Sequence, residues 1–191
     1  MAPRLTFAPG QPSQLVQISV LADGLYEPTE TFHLLLANPT QAGLATAEAT
    51  ATILDSDEVP LVDVVGESVL EGDEGVVTVT FTVTLSAVSG LTATVDFGTA
   101  DGTAIGGTDY EPISGTLTFA PGQTVQVVQV GVLGNTADQP NRTFQLVLSN
   151  LSHAQAGTTT AEATIVDDDE LVPPPSYAIF LPLIVSKSAE C

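Results

Sequence analysis

The sequence predicts an all-β protein, an antiparallel β-sandwich of about seven strands preceded by half of another, and three observations carry that expectation. Val77, Val79, Phe81, Val83 and Leu85 alternate with Thr78, Thr80, Thr82 and Thr84, the strict period of two that turns successive side chains to opposite faces of a sheet. Breaks rich in Gly, Asp, Thr and Pro recur between such runs, at Glu71 to Gly75, Thr99 to Gly107 and Pro121-Gly122, and each supplies turn chemistry. The seven residues Leu5 to Gln11, LTFAPGQ, occur again as Leu117 to Gln123, and residues 5–58 align with 117–170 without a gap, an offset of 117 - 5 = 112 residues. A repeat of that length is one all-β domain.

Taken in order, residues 1–58 are the C-terminal half of a repeat, with strands expected at Leu5 to Phe7, Ser13 to Leu21, Thr31 to Leu36 and Ala45 to Leu54. Nothing before them corresponds to residues 61–116. Half a sandwich leaves one apolar face and two strand edges uncovered, so this half is expected to be a truncated remnant or to be completed by another chain, for instance in a strand-exchanged homodimer. Residues 59–170 form the complete copy. Its first strand, Val62 to Val65 and Ser68 to Leu70, is interrupted at Gly66, which reads as a bulge or kink. Val77 to Leu85, Thr92 to Phe97, Gly115 to Phe119, Thr124 to Leu133, Thr143 to Leu148 and Thr158 to Val166 follow. Residues 171–191 are a Pro-rich linker, Pro173 to Pro175, and a short apolar tail, Tyr177 to Val185. The tail reads as an added edge strand or as a sorting or attachment segment; nine residues with a proline cannot span a bilayer as a helix.

Charge narrows the partners. Lys plus Arg number 3 against 23 Asp plus Glu, a formal net charge of -20 at pH 7. Such a surface repels nucleic acid and anionic lipid, which require clustered positive charge; its natural counter-ion is a cation. The one Cys, at position 191, excludes an intrachain disulfide and a Cys metal cluster. His33 and His153 lie far apart, which argues against zinc. No base, nucleophile and orienting group fall together in the sequence, so the chain is read as not an enzyme. It reads as soluble, and as a fragment of a longer secreted protein. Asn141-Arg142-Thr143 and Asn150-Leu151-Ser152 fit the glycosylation pattern, a short motif with a high chance frequency.

An ordered set of motifs resembles the Calx-beta domain of sodium/calcium exchangers, an integrin β subunit and many bacterial surface proteins: Leu70-Glu71-Gly72, Phe81 to Ser86, Val95-Asp96-Phe97 with Thr99 to Ala104, Gly107 to Tyr110, Gly115 to Gly122, Thr143 to Asn150 and Ile165 to Asp169. The resemblance covers residues 61–170 and, as a back half, 4–58. It implies an immunoglobulin-like sandwich of the Calx-beta type and, in some members, calcium held by loops near the domain's C-terminal end. Calcium takes six to eight oxygen ligands. Asp167, Asp168 and Asp169 close the last strand, and the period of two puts Asp167 and Asp169 on one side. Two carboxylates about 4 Å apart repel by roughly 1 to 4 kcal/mol, which a divalent ion would convert into coordination. The family pattern adds Glu71 and Asp101. It also marks a departure: Gln139 and Arg142 stand where binding members carry Glu, and Gly134 and Asn135 where they carry Asp, which limits the complete copy to one or two weak sites. The half copy keeps Asp23, Glu27, Glu30, Asp55 and Asp57 and lacks counterparts of Glu71 and Asp101.

These readings converge on a non-catalytic extracellular or cell-surface module, an adhesion or spacer repeat whose domain end and linker calcium rigidifies. Its expected partners are calcium ions and other domains of the same or neighbouring chains. The alternatives are a purely structural acidic spacer without metal, and the attachment end of a larger secreted enzyme. Asp109 and Tyr110 are read as structural, the first bonding within a turn and the second packing beneath it.

Overall fold

The computed structural model describes residues 4–170, and all regular structure in it is strand. In chain order the strands are β1 (Glu30–Leu35), β2 (Glu48–Ile53), β3 (Leu61–Val65), β4 (Ser68–Leu70), β5 (Val76–Leu85), β6 (Ala93–Asp101), β7 (Ser114–Phe119), β8 (Val125–Leu133), β9 (Arg142–Ser152), β10 (Gln155–Ala156) and β11 (Thr160–Val166). A four-stranded sheet of order β10-β3-β5-β8 faces a five-stranded sheet of order β4-β11-β9-β6-β7. Together they are the sandwich formed by the complete copy. β3 and β4 are one strand divided at Gly66 and β10 is only two residues long, which leaves the seven strands the sequence leads one to expect. The linker and apolar tail expected at residues 171–191 lie outside the described residues.

The alternation in β5 explains its place. Val79, Phe81, Val83 and Leu85 are buried, and they meet Phe144 and Leu146 of β9, Val95 of β6, and Val128, Val130 and Val132 of β8 in one apolar cluster. Phe81 lies edge-on to Phe144, ring centroids 5.8 Å apart, and Tyr110 stacks on Phe144 at 4.2 Å. Such aromatic pairs add to area burial, the dominant stabilising term. Gly66 lets the chain cross between layers: β3 pairs with β5 in one sheet and β4 runs parallel to β11 in the other. A Cβ at Gly66 would stand 2.2 Å from the Glu162 carbonyl oxygen and 2.9 Å from a Phe81 ring carbon. The kink is therefore a place where two backbones touch.

In the half copy only β1 and β2 are strands, paired with each other alone. The strands expected at Leu5 to Phe7 and Ser13 to Leu21 do not form, and the complete copy supplies the reason. Their equivalents, β7 and β8, pair with β6 and β5 respectively, and both of those belong to the front half that residues 1–58 lack. Without a neighbour a strand's N–H and C=O groups have no ladder to join. β1 and β2, by contrast, correspond to β9 and β11, which pair with each other. Glu30 opposes Ile53 and Leu35 opposes Glu48, as Arg142 opposes Ile165 and Val147 opposes Thr160 at the 112-residue offset. The register survives because both of its partners survive.

Local structure is kept throughout. The Ala8 N–H reaches Gln11 Oε1 at 3.1 Å as Ala120 reaches Gln123, and Gln14 Nε2 donates to the Thr6 carbonyl at 2.7 Å as Gln126 donates to Thr118. Gly10 and Gly122 share a left-handed φ of 81° and 82°. The half copy meets the complete one through Tyr26, whose carbonyl accepts from Gly90 N at 2.9 Å and from Ser89 Oγ at 3.3 Å.

Candidate metal centre

β11 ends by running into Asp167, Asp168 and Asp169, and the strand period separates them. Asp168 is exposed, and its Oδ1 accepts from Gly72 N at 2.9 Å, closing the turn after β4. Asp167 and Asp169 turn the other way, toward Glu71 at the end of β4. Parallel pairing of β4 with β11, Leu70 opposite Val166, brings Glu71 there, and its N–H donates to the Val166 carbonyl at 3.1 Å. One carboxylate oxygen from each of Glu71, Asp167 and Asp169 lies within 4.8 Å of the others.

Two features set this trio apart from an acidic surface. Glu71 is only 5% exposed, although carboxylates are rarely buried unless paired. Asp167 Oδ1 and Asp169 Oδ2 are shielded from solvent and accept no hydrogen bond, a state that costs free energy unless some cation or donor serves them. The electrostatics agree: burial, then Asp167 and Asp169, push the Glu71 carboxyl up to about 6. Asp169 is raised too, by burial first and then by Asp167 and other nearby acids. Asp167 Oδ2 is engaged by the Gln139 N–H at 3.1 Å, and the Asp167 N–H by Asn141 Oδ1 at 3.2 Å. This end of the sandwich is thus a three-carboxylate cup with two orphan oxygens, suited to a hard divalent cation. The residues fit calcium as donors, and solvent or backbone oxygens must supply the remaining ligands.

Asp101 is placed elsewhere in its interactions. Its Oδ1 accepts from Tyr110 OH at 2.6 Å and from Gly106 N at 2.8 Å, and the Tyr110 bond first, then the Gly106 bond, holds its carboxyl below the ordinary range. Burial and that same bond push the Tyr110 phenol up to about 12. Asp109 Oδ2 takes the Ile105 N–H at 2.7 Å, the expected turn bond. Its Oδ1 also pairs with the Arg142 guanidinium, which reaches Gln139 Oε1 as well. The pairing of Arg142 with Asp109, 33 residues apart, has no local signature in the sequence. Arg142 pulls the Glu71 carboxyl back down, so it already supplies positive charge beside the cup.

In the half copy Asp55 Oδ2 accepts from Glu27 N at 3.0 Å and Asp55 Oδ1 from Asp57 N at 3.2 Å, and the Glu27 bond leads in keeping Asp55 low. Glu27 is raised by burial and then by Asp23, Glu30, Asp55 and Asp57, so the loops gather all five acids. Asp23 Oδ1 is taken by Leu25 N at 3.0 Å. Among the described residues they form no group as close as the Glu71, Asp167 and Asp169 trio. The front-half carboxylate that would sit opposite Asp55 and Asp57 is the one this copy lacks.

The family model for the Calx-beta domain matches residues 1–57 and 60–169. The mouse (Mus musculus) extracellular matrix organizing protein FRAS1 is 29% identical over 195 residues, 93% of this chain but 5% of FRAS1. The crystal structure of the apo-form Calx CBD1 domain superimposes with a TM-score of 0.51 at 25% identity, over 57% of this chain and 99% of that one. The calcium binding domain CBD12 of CALX1.1 gives 0.50 at 27% identity, over 56% of this chain and 46% of that one.

Proposed function

Because the chain belongs to the Calx-beta domain family, we propose that it is a non-catalytic extracellular module in which Glu71, Asp167 and Asp169 hold a calcium ion. The observation that carries this reading is the pair of buried, unserved oxygens, Asp167 Oδ1 and Asp169 Oδ2, beside buried Glu71. A bound ion would supply the positive charge that converts their mutual repulsion into cohesion. The end of β11 and the turn after β4 are then tied together, and the module stiffens where the next domain attaches. Asp23, Glu27, Glu30, Asp55 and Asp57 border the joint with the complete copy, and their cohesion by a cation restrains that hinge. The likeness to FRAS1 supports a matrix or surface setting. This chain spans about a twentieth of that protein, so the module is read as one repeat of an extended architecture.

The test is a thermal melt of the 191-residue chain in chelator and in calcium, with magnesium as control. Calcium at a hundred times its dissociation constant adds about 2.7 kcal/mol, on the order of 10 °C for a domain of about 110 residues. Glu71→Gln and Asp169→Asn remove the increment; Asp168→Asn, at the turn, leaves it in place. An absence of shift up to about 10 mM, beyond the range of weak extracellular sites, favours the second reading, an acidic spacer without metal. Arg142 is the observation on that side, as a built-in cation beside the cup.

A further inference from the structure

The joint between the two copies is shaped on both sides. In the loop of residues 21–30 only Leu25, Tyr26 and Glu27 are half-buried, and the residues flanking them are exposed. Tyr26 and Glu27 lie against the connection from β5 to β6. Tyr26 and Ser89 form an isolated parallel bridge, in which the Tyr26 N–H donates to the Val88 carbonyl at 3.4 Å and the Tyr26 carbonyl accepts from Gly90 N at 2.9 Å. Ser89 is 2% exposed. Its Oγ donates to the Tyr26 carbonyl and accepts from Leu91 N at 3.0 Å, and its own carbonyl accepts from Gly122 N at 2.9 Å in the Pro121-Gly122 turn. A buried hydroxyl with donor and acceptor roles both filled is fully satisfied. Gly90 makes room for the half copy, since a Cβ there would stand 2.8 Å from Glu27 Oε1 and 2.9 Å from Glu27 Cγ. Glu27 in turn is anchored to its own copy, its N–H on Asp55 Oδ2 at 3.0 Å. Gln139 N makes the equivalent bond to Asp167 Oδ2 in the complete copy, so this anchor belongs to the repeat and the loop is preorganised for docking.

We propose that residues 86–92, with the Pro121-Gly122 turn behind them, are a docking surface for the Tyr26-Glu27 segment, and that this clasp fixes the angle between the copies without any cation. Backbone bonds supply the attachment, and the absence of a side chain at Gly90 supplies the fit. The clasp does not rest on the calcium reading. Its bonds join neutral backbone and hydroxyl groups, which a chelator leaves intact. A cation held at Asp55 and Asp57 would reinforce it through the Glu27 bond to Asp55.

The test uses the full 191-residue chain in chelator, followed by amide hydrogen exchange and residual dipolar couplings. Exchange at the Gly90 amide is expected to be slowed about 100-fold or more, and couplings from β1 and β2 should fit one alignment tensor with those of the complete copy. Gly90→Val, which drives a side chain into Glu27, should abolish protection at position 90 and split the tensors while β5 and β9 stay protected. Adding Glu27→Ala to that variant should restore both. Should Gly90→Val disturb the complete copy, Tyr26→Pro breaks the clasp from the other side by removing the N–H donated to Val88, and the same split is expected. Two tensors for the parent chain in chelator overturn the proposal, as does a single tensor in both variants. Tensors that merge only on adding calcium also overturn it while upholding the calcium reading; a single tensor with a melt indifferent to calcium upholds the clasp alone.

Discussion

Glu71 shows at a single residue how site and stability are joined. Its carboxyl titrates near 6 in the folded chain against an ordinary 4.5, so folding favours its protonated form. That contribution is complete below about pH 4.5 and is lost as pH rises through 6. In chelator the complete domain is therefore expected to melt higher at pH 5 than at pH 7, by about 1 kcal/mol or roughly 4 to 8 °C. Glu71→Gln flattens that profile. With calcium held as proposed, the slope is expected to reverse in excess calcium, because protons and metal compete for the same oxygens. A scan of melting temperature against pH, with and without calcium, checks both. The sequence made Asp167 and Asp169 legible as a pair, since a strand's period is enough to put them on one side. The partition of labour around them was not legible: Asp168 serves Gly72, and Asp101 serves Tyr110 and Gly106. Those choices depend on which backbone N–H lies nearest in space.

At the scale of elements, Gly66 and the paired strands give sharper expectations. Gly66→Ala sets a methyl group against the Glu162 carbonyl, where neither backbone has room to move, and is expected to cost about 3 kcal/mol; urea unfolding measures it as a lower midpoint. The internal duplication supplies a matched pair of substitutions. Val132→Asp buries a charge in the centre of the sandwich and is expected to unfold the complete domain. Val20→Asp, at the equivalent but exposed position, should change stability by less than about 0.5 kcal/mol. Circular dichroism and denaturant midpoints of the two variants check the contrast; equal losses would mean that residues 13–21 are packed after all. Turns were readable because their information is local: the Pro-Gly turn of the repeated seven residues closes alike in both copies, with Gly10 and Gly122 at left-handed φ of 81° and 82°. Strands 5–7 and 13–21 were misread because alternation announces a strand without saying whether a neighbour exists.

For the whole molecule, the complete sandwich and the half copy are expected to differ in resistance to proteolysis. A broad-specificity protease should cut first within residues 13–21, whose backbone makes no ladder, and leave a fragment containing residues 59–170. Mass spectrometry of a time course identifies the first cut, and an initial cut inside β5 or β9 would contradict this account of the core. The sequence by itself determined the all-β class, the 112-residue duplication, the local turns and the acidic strand end, because period, turn chemistry and repetition are properties of neighbouring residues. Tertiary structure alone decided which strands of the duplication found partners to pair with. It also decided that parallel pairing of β4 with β11 would bring Glu71 to Asp167 and Asp169, far away in the chain. Both outcomes turn on which strands are present to pair, and that is a long-range condition which no single segment contains.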